Sequence, residues 1–301
     1  MTKKYTIEAE FEKDVVEKLQ ACGWKGGASY PAVLKYPTEA ELIKNWANII
    51  FEHNRKELNN VPLNQEEIDD LLLKIRGKTP CEINRIINSR QIDLIRKNKA
   101  DKEFYNKTVY LEIYDRRKIQ DGETVFQIAE QPVFERKTSM DRDRRGDLML
   151  LINGMPLYHL ELKRSDVPWQ AAFNQLRLYH SEGIYSGFFS FVQIFVAMTP
   201  EESRYFANPG EYTKFNENFA FKWAKERNVE VLEWEEFIHK FLYIPMAHEI
   251  IGFYTVPDKT DDSLKVLRSY QFNAVRSIRN KVSSHKDKWE DGIQTGGYIW
   301  N

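Results

Sequence analysis

Cysteine is nearly missing: the 301 residues hold only Cys22 and Cys81, too few for a disulfide framework, so any fold must rest on its core. No apolar run approaches the roughly 20 residues of a membrane span, and nothing in the pattern leads one to expect a membrane protein. The opening residues 1–8 lack the apolar stretch of a secretory signal, so a reducing cytoplasm is the expected setting. An excess of one charge is absent too. Lys and Arg number 44 against 45 Asp and Glu, a net −1, so only local clusters can mark a charged partner. What is present is ordinary for a globular chain, 42% hydrophobic and 30% charged, at a length that suggests one large domain plus part of a second.

Helical spacing comes first along the chain. Phe11, Val15, Leu19 and Cys22 form one stripe over 6–22, and Gly23 supplies a stop. Thr38 with Glu41 and Asn64 with Glu67 read as capping boxes, so a helical insertion is expected over 38–98. Trp46 and His53 fall on its apolar spacing and are read as core or rim. From Val109 the period becomes strand-like: 109–114 and 125–128 are expected to pair across Asp121-Gly122. Strands at 147–152 and 157–163 follow, separated by Asn153-Gly154-Met155-Pro156, then a helix from Pro168 to about Ser181 and an apolar strand at 193–198. That order predicts an α/β fold, a mixed central sheet flanked by helices. Helices are expected at 219–227 and 234–242, a linker at 255–263, and a new amphipathic helix from Leu264.

Chemistry concentrates at the second strand pair. Glu161 and Lys163 stand two apart on a strand and therefore project to one side, inside an apolar run where an acid and a lysine are costly unless they share a polar pocket. Asp147 lies on the neighbouring strand, and hydrolysis of a phosphodiester calls for two carboxylates converging on one hard cation. Asp147 and Glu161 are the candidate Mg²⁺ ligands, with the backbone carbonyl of Leu162 completing the set. Lys163 would orient the attacking water and steady charge on the phosphate. The densest basic stretch, 136–145, ends with Arg144 and Arg145 just before Asp147, where it could hold a nucleic-acid backbone. The geometry requires Asp147 opposite Glu161, whereas a plain two-residue turn at Asn153-Gly154 would pair 147 with 160. An odd-length loop or a bulge at Gly154 is therefore expected.

Gln175 and Tyr179 share one face of the next helix. An Asp on one strand, Glu161-Leu162-Lys163 on the next, and Gln175 with Tyr179 on the following helix resemble the PD-(D/E)xK nucleases of the RecB type, with Gly146 standing where the motif name has Pro. The resemblance implies metal ligation by Asp147 and Glu161, catalysis by Lys163, DNA positioning or support of the site by Gln175 and Tyr179, and an acidic helper on the first helix, Glu12 or Glu8. Further on, 267–275 resembles the glutamine motif that opens a superfamily 2 helicase motor, and 296–301 the strand leading to its phosphate loop. Nuclease first and motor second is the order of the restriction (R) subunit of type I restriction-modification enzymes. That resemblance implies a nuclease domain over 1–254 that folds alone, a motor start at 264–301, and Gln271 as the contact to the adenine of ATP. It also implies double-stranded DNA and the methylation and specificity subunits as partners. The loop G-x-x-x-x-G-K-[ST] occurs nowhere in the sequence, so ATP is expected as a cofactor of a longer enzyme and not of these residues. The competing reading is a catalytically silent module of the same fold that docks the other subunits.

Overall fold

Reciprocal side-chain to backbone bonds mark the starts of three helices. In the computed structural model, which describes residues 3–119, 122–135, 143–225 and 229–284, helix α1 (Glu8–Ala21) turns Phe11, Glu12, Val15, Val16 and Leu19 inward. Strand β1 (Val33–Lys35) precedes α2 (Glu39–His53), opened by the Thr38–Glu41 capping box. The Asn64–Glu67 box opens α3 (Gln65–Ile75), and a third box, Thr79–Glu82 with Pro80 in the first turn, opens α4 (Pro80–Asn88). The region expected to be a helical insertion ends as a strand: β2 (Gln91–Ile95) pairs antiparallel with β3 (Thr108–Glu112).

That pairing replaces the hairpin expected between 109–114 and 125–128. Strand β3 buries Val109 and Leu111 and exposes Tyr110, as suits a ribbon with one wet face. Strand β4 (Phe126–Glu130) is buried at Phe126, Gln127, Ile128 and Ala129 and belongs to the main sheet. A side pair, β5 (Val133–Phe134) with β6 (Arg144–Arg145), leads into β7 (Leu148–Ile152) and β8 (Met155–Leu162). Helix α5 (Trp169–Ser181) then carries the chain across to β9 (Ile194–Met198), parallel to β8, and β10 (Ser203–Ala207) closes that edge. The result is a mixed six-stranded sheet in the order β1-β4-β7-β8-β9-β10. Strands β7, β8 and β9 are buried along their whole length, since α1 packs on β8 while α5 packs on β8 and β9. Continuous apolar runs such as Leu148-Met149-Leu150-Leu151-Ile152 are what a sheet covered on both faces demands.

The helix expected at 219–227 is absent from the described part of that stretch. Phe221 bridges Tyr205 and Ala224 bridges Glu230, so the chain extends the sheet edge instead. The next expected helix forms as α6 (Trp234–Phe237), continued by a π-helical turn, Ile238–Leu242, and followed by α7 (Met246–Glu249). Where a linker was expected, β11 (Thr255–Asp258) and β12 (Ser263–Val266) form a hairpin. Its polar composition serves the turn: Asp258 Oδ1 accepts from Thr260 N and Asp261 Oδ1 from Ser263 N, while Leu264 and Val266 are buried. Helix α8 (Ser269–Ser284) follows, with Phe272 set against Tyr254 and Trp223. The strand expected at 296–301 lies outside the described residues, as do 136–142 of the basic stretch. Among the described residues no helix is long and apolar enough to cross a membrane.

Candidate active site

The β7–β8 hairpin decides which residues meet. Asn153 and Gly154 both take left-handed backbone, φ 51° and 79°, and Ile152 pairs with Met155, so the turn is the plain two-residue type. Neither an odd loop nor a bulge at Gly154 is present. The register is corrected further along: Leu151 pairs with Pro156 but Leu150 pairs with Tyr158, leaving Leu157 as the extra residue of a bulge. From there Leu148 faces Leu160, and the same register carries Asp147 opposite Glu161. Pro156 has no N–H to give to the ladder, which is why the irregularity settles beside it.

Asp147 and Glu161 come within hydrogen-bonding reach of each other. Asp147 Oδ2 accepts the Leu162 N–H at 2.6 Å. Glu161 is fully buried, with Oε1 3.1 Å from Lys163 Nζ and Oε2 lacking a hydrogen-bond partner. Burial, then the mutual repulsion of the two carboxylates, pushes the Glu161 carboxyl well above its usual range; burial raises Asp147 as well, against the pull of Lys163. Lys163 also donates to the Leu162 carbonyl at 2.9 Å and lies 3.6 Å from Glu8 Oε2. Burial works against its charge, but Glu161 and Asp147 outweigh it and hold the ammonium above its ordinary pKa. From α1, Glu12 reaches the same neighbourhood: Oε2 accepts from Gln131 Nε2 at 2.9 Å, Oε1 has no partner, and burial pushes the carboxyl up to about 7. Of the two first-helix candidates, Glu12 is the buried one and Glu8 sits at the rim beside Lys163.

Three carboxylates, Glu161, Asp147 and Glu8, thus surround one ammonium, with Glu12 beside Asp147, and the donors are all oxygen, the chemistry a hard divalent cation requires. Among the described residues no group of three or more His, Cys, Asp and Glu side chains forms a ready-made metal cage. The donor set is the open kind, two carboxylates and the Leu162 carbonyl, with an orphaned carboxylate oxygen on Glu161. Such a set fits Mg²⁺, which keeps several waters.

Gln175 and Tyr179 are joined as the helical spacing implies: Gln175 Nε2 donates to Tyr179 Oη at 2.6 Å, and Tyr179 donates to the Arg145 carbonyl at 2.7 Å. They hold the backbone two residues before Asp147. Arg144 is committed elsewhere, its Nε 3.1 Å from Glu182 Oε2, while Arg145 is exposed and lies over the Tyr36 ring at 5.7 Å. Gln271 stands on α8, where its Oε1 accepts from Arg268 N at 2.9 Å and caps the helix.

Three residues here, His159, Gly146 and Gln131, were given no role by the sequence. His159 is fully buried, and burial lowers its pKa to about 3, so the imidazole is neutral. Its position two residues before Glu161 was the available signal. Gly146 is required by it, because a Cβ there would lie 2.7 Å from His159 Nε2 and 3.0 Å from Phe134. Gln131, the partner of Glu12, carries no legible signal.

The description "Type I restriction enzyme R protein N terminus" matches residues 6–214, which span α1 through β10 and every residue of the carboxylate cluster. The chain is 29% identical over 300 residues to the type I restriction enzyme SsaAORF53P endonuclease subunit of Staphylococcus saprophyticus, covering 99% of this chain and 28% of that protein. It is 26% identical over 297 residues to the SauMSSORF170P endonuclease subunit of Staphylococcus aureus, again 99% of this chain and 28% of the relative. With the EcoprrI endonuclease subunit of Escherichia coli it shares 32% identity over 154 residues, 50% of this chain and 49% of that protein. The chain therefore spans little more than a quarter of the length of its staphylococcal relatives. A match over most of the chain, embracing the whole site, establishes that this protein belongs to the family of type I restriction enzyme R protein N termini.

Proposed function

We propose that the chain carries a Mg²⁺-dependent endonuclease site of the PD-(D/E)xK type, which hydrolyses phosphodiester bonds of double-stranded DNA. The observation that supports it is the pairing of Asp147 with Glu161 beside Lys163, reached only because the Leu157 bulge resets the register. Asp147, Glu161 and the Leu162 carbonyl would hold the ion. When bound, it supplies positive charge against the phosphate oxygens and lowers the pKa of water. The remaining work belongs to the side chains. The Leu162 N–H fixes the orientation of Asp147, and the Lys163 ammonium lies where it can neutralise charge growing on the phosphate or orient the attacking water. Gln175 and Tyr179 support the backbone that leads into Asp147, and exposed Arg145 meets the DNA backbone.

In the whole enzyme we place this site upstream of an ATP-driven motor that translocates DNA, in the cytoplasm, assembled with methylation and specificity subunits. Gln271 would there turn to the adenine of ATP. The test is DNA cleavage by the assembled full-length enzyme carrying Asp147→Ala or Lys163→Ala. Cleavage should disappear while ATP hydrolysis and translocation continue. Normal cutting by either variant would leave only the silent docking module.

A further inference from the structure

Two unsatisfied polar atoms face each other inside the protein. His159 Nε2 and Glu161 Oε2 are both buried, both lack a hydrogen-bond partner, and lie 3.8 Å apart. That separation is too long for a hydrogen bond and too short to admit a bridging water. Native interiors rarely leave a donor and an acceptor so placed and unpaired. The other ring nitrogen is engaged: His159 Nδ1 lies 2.8 Å from the hydroxyl of half-buried Tyr185. Tyr179 lies parallel to the imidazole, Phe134 and Phe195 border it, and Gly146 keeps the space before Nε2 clear. The ring is held on every side, with one nitrogen left pointing at a carboxylate.

Resting on the metal-site reading above, we propose that His159 is a positioning residue for the metal ligand Glu161. In this proposal the Tyr185 hydroxyl, 2.8 Å from Nδ1, serves as the donor there, which assigns the ring hydrogen to Nε2 and presents it to Glu161 Oε2. When the carboxylate turns to engage a cation, that bond closes and tethers Oε2, committing Oε1 to the side where Lys163 stands. A tethered carboxylate is a one-oxygen donor. That favours small octahedral ions such as Mg²⁺ and Mn²⁺ over Ca²⁺, which readily takes both oxygens of a carboxylate.

The test is Mn²⁺ binding by the 301-residue chain without DNA, read from the electron paramagnetic resonance of free Mn²⁺, with Ca²⁺ as competitor and melting curves as the check on folding. Glu161→Gln should abolish the site. His159→Phe, which keeps a ring but offers no donor, should weaken Mn²⁺ at least tenfold and narrow its preference over Ca²⁺. His159→Gln, whose amide nitrogen reaches the place of Nε2, should stay within about threefold of the parent. Tyr185→Phe removes one hydroxyl with little change of shape and should weaken Mn²⁺ in the same direction, which keeps the test decisive if His159→Phe does not fold. Unchanged Mn²⁺ binding in folded His159→Phe or in Tyr185→Phe, with Glu161→Gln defective, overturns the role of His159 and leaves the metal site standing. Equal losses in His159→Phe and His159→Gln also overturn it, because the role would then be packing alone. Unchanged binding in Glu161→Gln overturns the metal site itself and this proposal with it.

Discussion

Glu161 pays for its place in the sheet with stability. Its carboxylate is buried and faces Asp147, and one ammonium, Lys163, serves both. A carboxyl whose folded pKa lies above its unfolded value costs stability once the pH exceeds the unfolded value, and the cost is relieved as the pH falls and the group protonates. Glu161→Gln removes that charge while keeping shape. It should raise the melting temperature by a few degrees at neutral pH in metal-free buffer, and the gain should shrink toward zero as the pH drops to about 4.5, where the unfolded carboxyl itself protonates. Melting curves from pH 4 to 8 check this. A variant that is less stable than the parent at pH 7.5 would mean that Lys163 fully offsets the burial. On the proposed reading of the site, Lys163→Ala in the assembled enzyme should lower DNA cleavage by at least about a hundredfold, the scale lost with a preorganised charge. Rapid-quench measurement of strand scission, separate from translocation, reads that loss.

The β7–β8 hairpin depends on how tightly its turn is held. Gly154 sits at φ 79°, and a Cβ there would lie 2.8 Å from the backbone Cα of Trp46 on α2, so the turn is clamped by a helix distant in sequence. Gly154→Ala meets both left-handed strain and a clash with backbone that cannot yield. It should cost more than about 2 kcal/mol in denaturant unfolding. A cost near zero would mean that α2 does not fix the turn. Capping boxes and apolar runs were legible in the sequence because they are local: the starts of α2 and α3 and the strands β7, β8 and β9 follow from residues a few positions apart. That Glu161 and Lys163 share a face was legible for the same reason, although an acid and a lysine two apart on a strand also read as a plain ion pair. Pairing was not legible. Which strand β3 joins, and whether the bulge falls at Gly154 or Leu157, depends on contacts made by α2 and by the rest of the sheet. Likewise the link from Glu12 to Gln131 spans 119 positions, and no spacing rule reaches that far.

At the scale of the whole molecule the question is where the unit that carries the carboxylate cluster stops. Composition draws a boundary at 254, yet the residues beyond it pack on the core. Leu264, Val266 and Phe272 are buried, β12 lies against β10 and α4, and the Tyr205 hydroxyl donates to the Leu267 carbonyl at 3.0 Å. Phe272 covers the rings of Trp223 and Tyr254. Burying each such side chain contributes about 1.5–3 kcal/mol, so cutting the chain after Tyr254 should remove on the order of 5 kcal/mol and expose the aromatic surface the segment covers. The expected outcome is a markedly lower melting temperature for residues 1–254 than for residues 1–284, together with binding of a hydrophobic dye by the shorter piece. Phe272→Ala in the longer piece should reproduce part of that loss, about 3 kcal/mol or more, because it removes the buried ring from between Trp223 and Tyr254. If the two pieces melt together, the hairpin and α8 contribute nothing to the core and the boundary at 254 stands. If the shorter piece is weakened as expected, the first helix after the hairpin is structurally part of the unit that carries the carboxylate cluster, and a push on α8 would reach Tyr205 and the edge strand β10, next to β9, whose Ala197 pairs with Glu161.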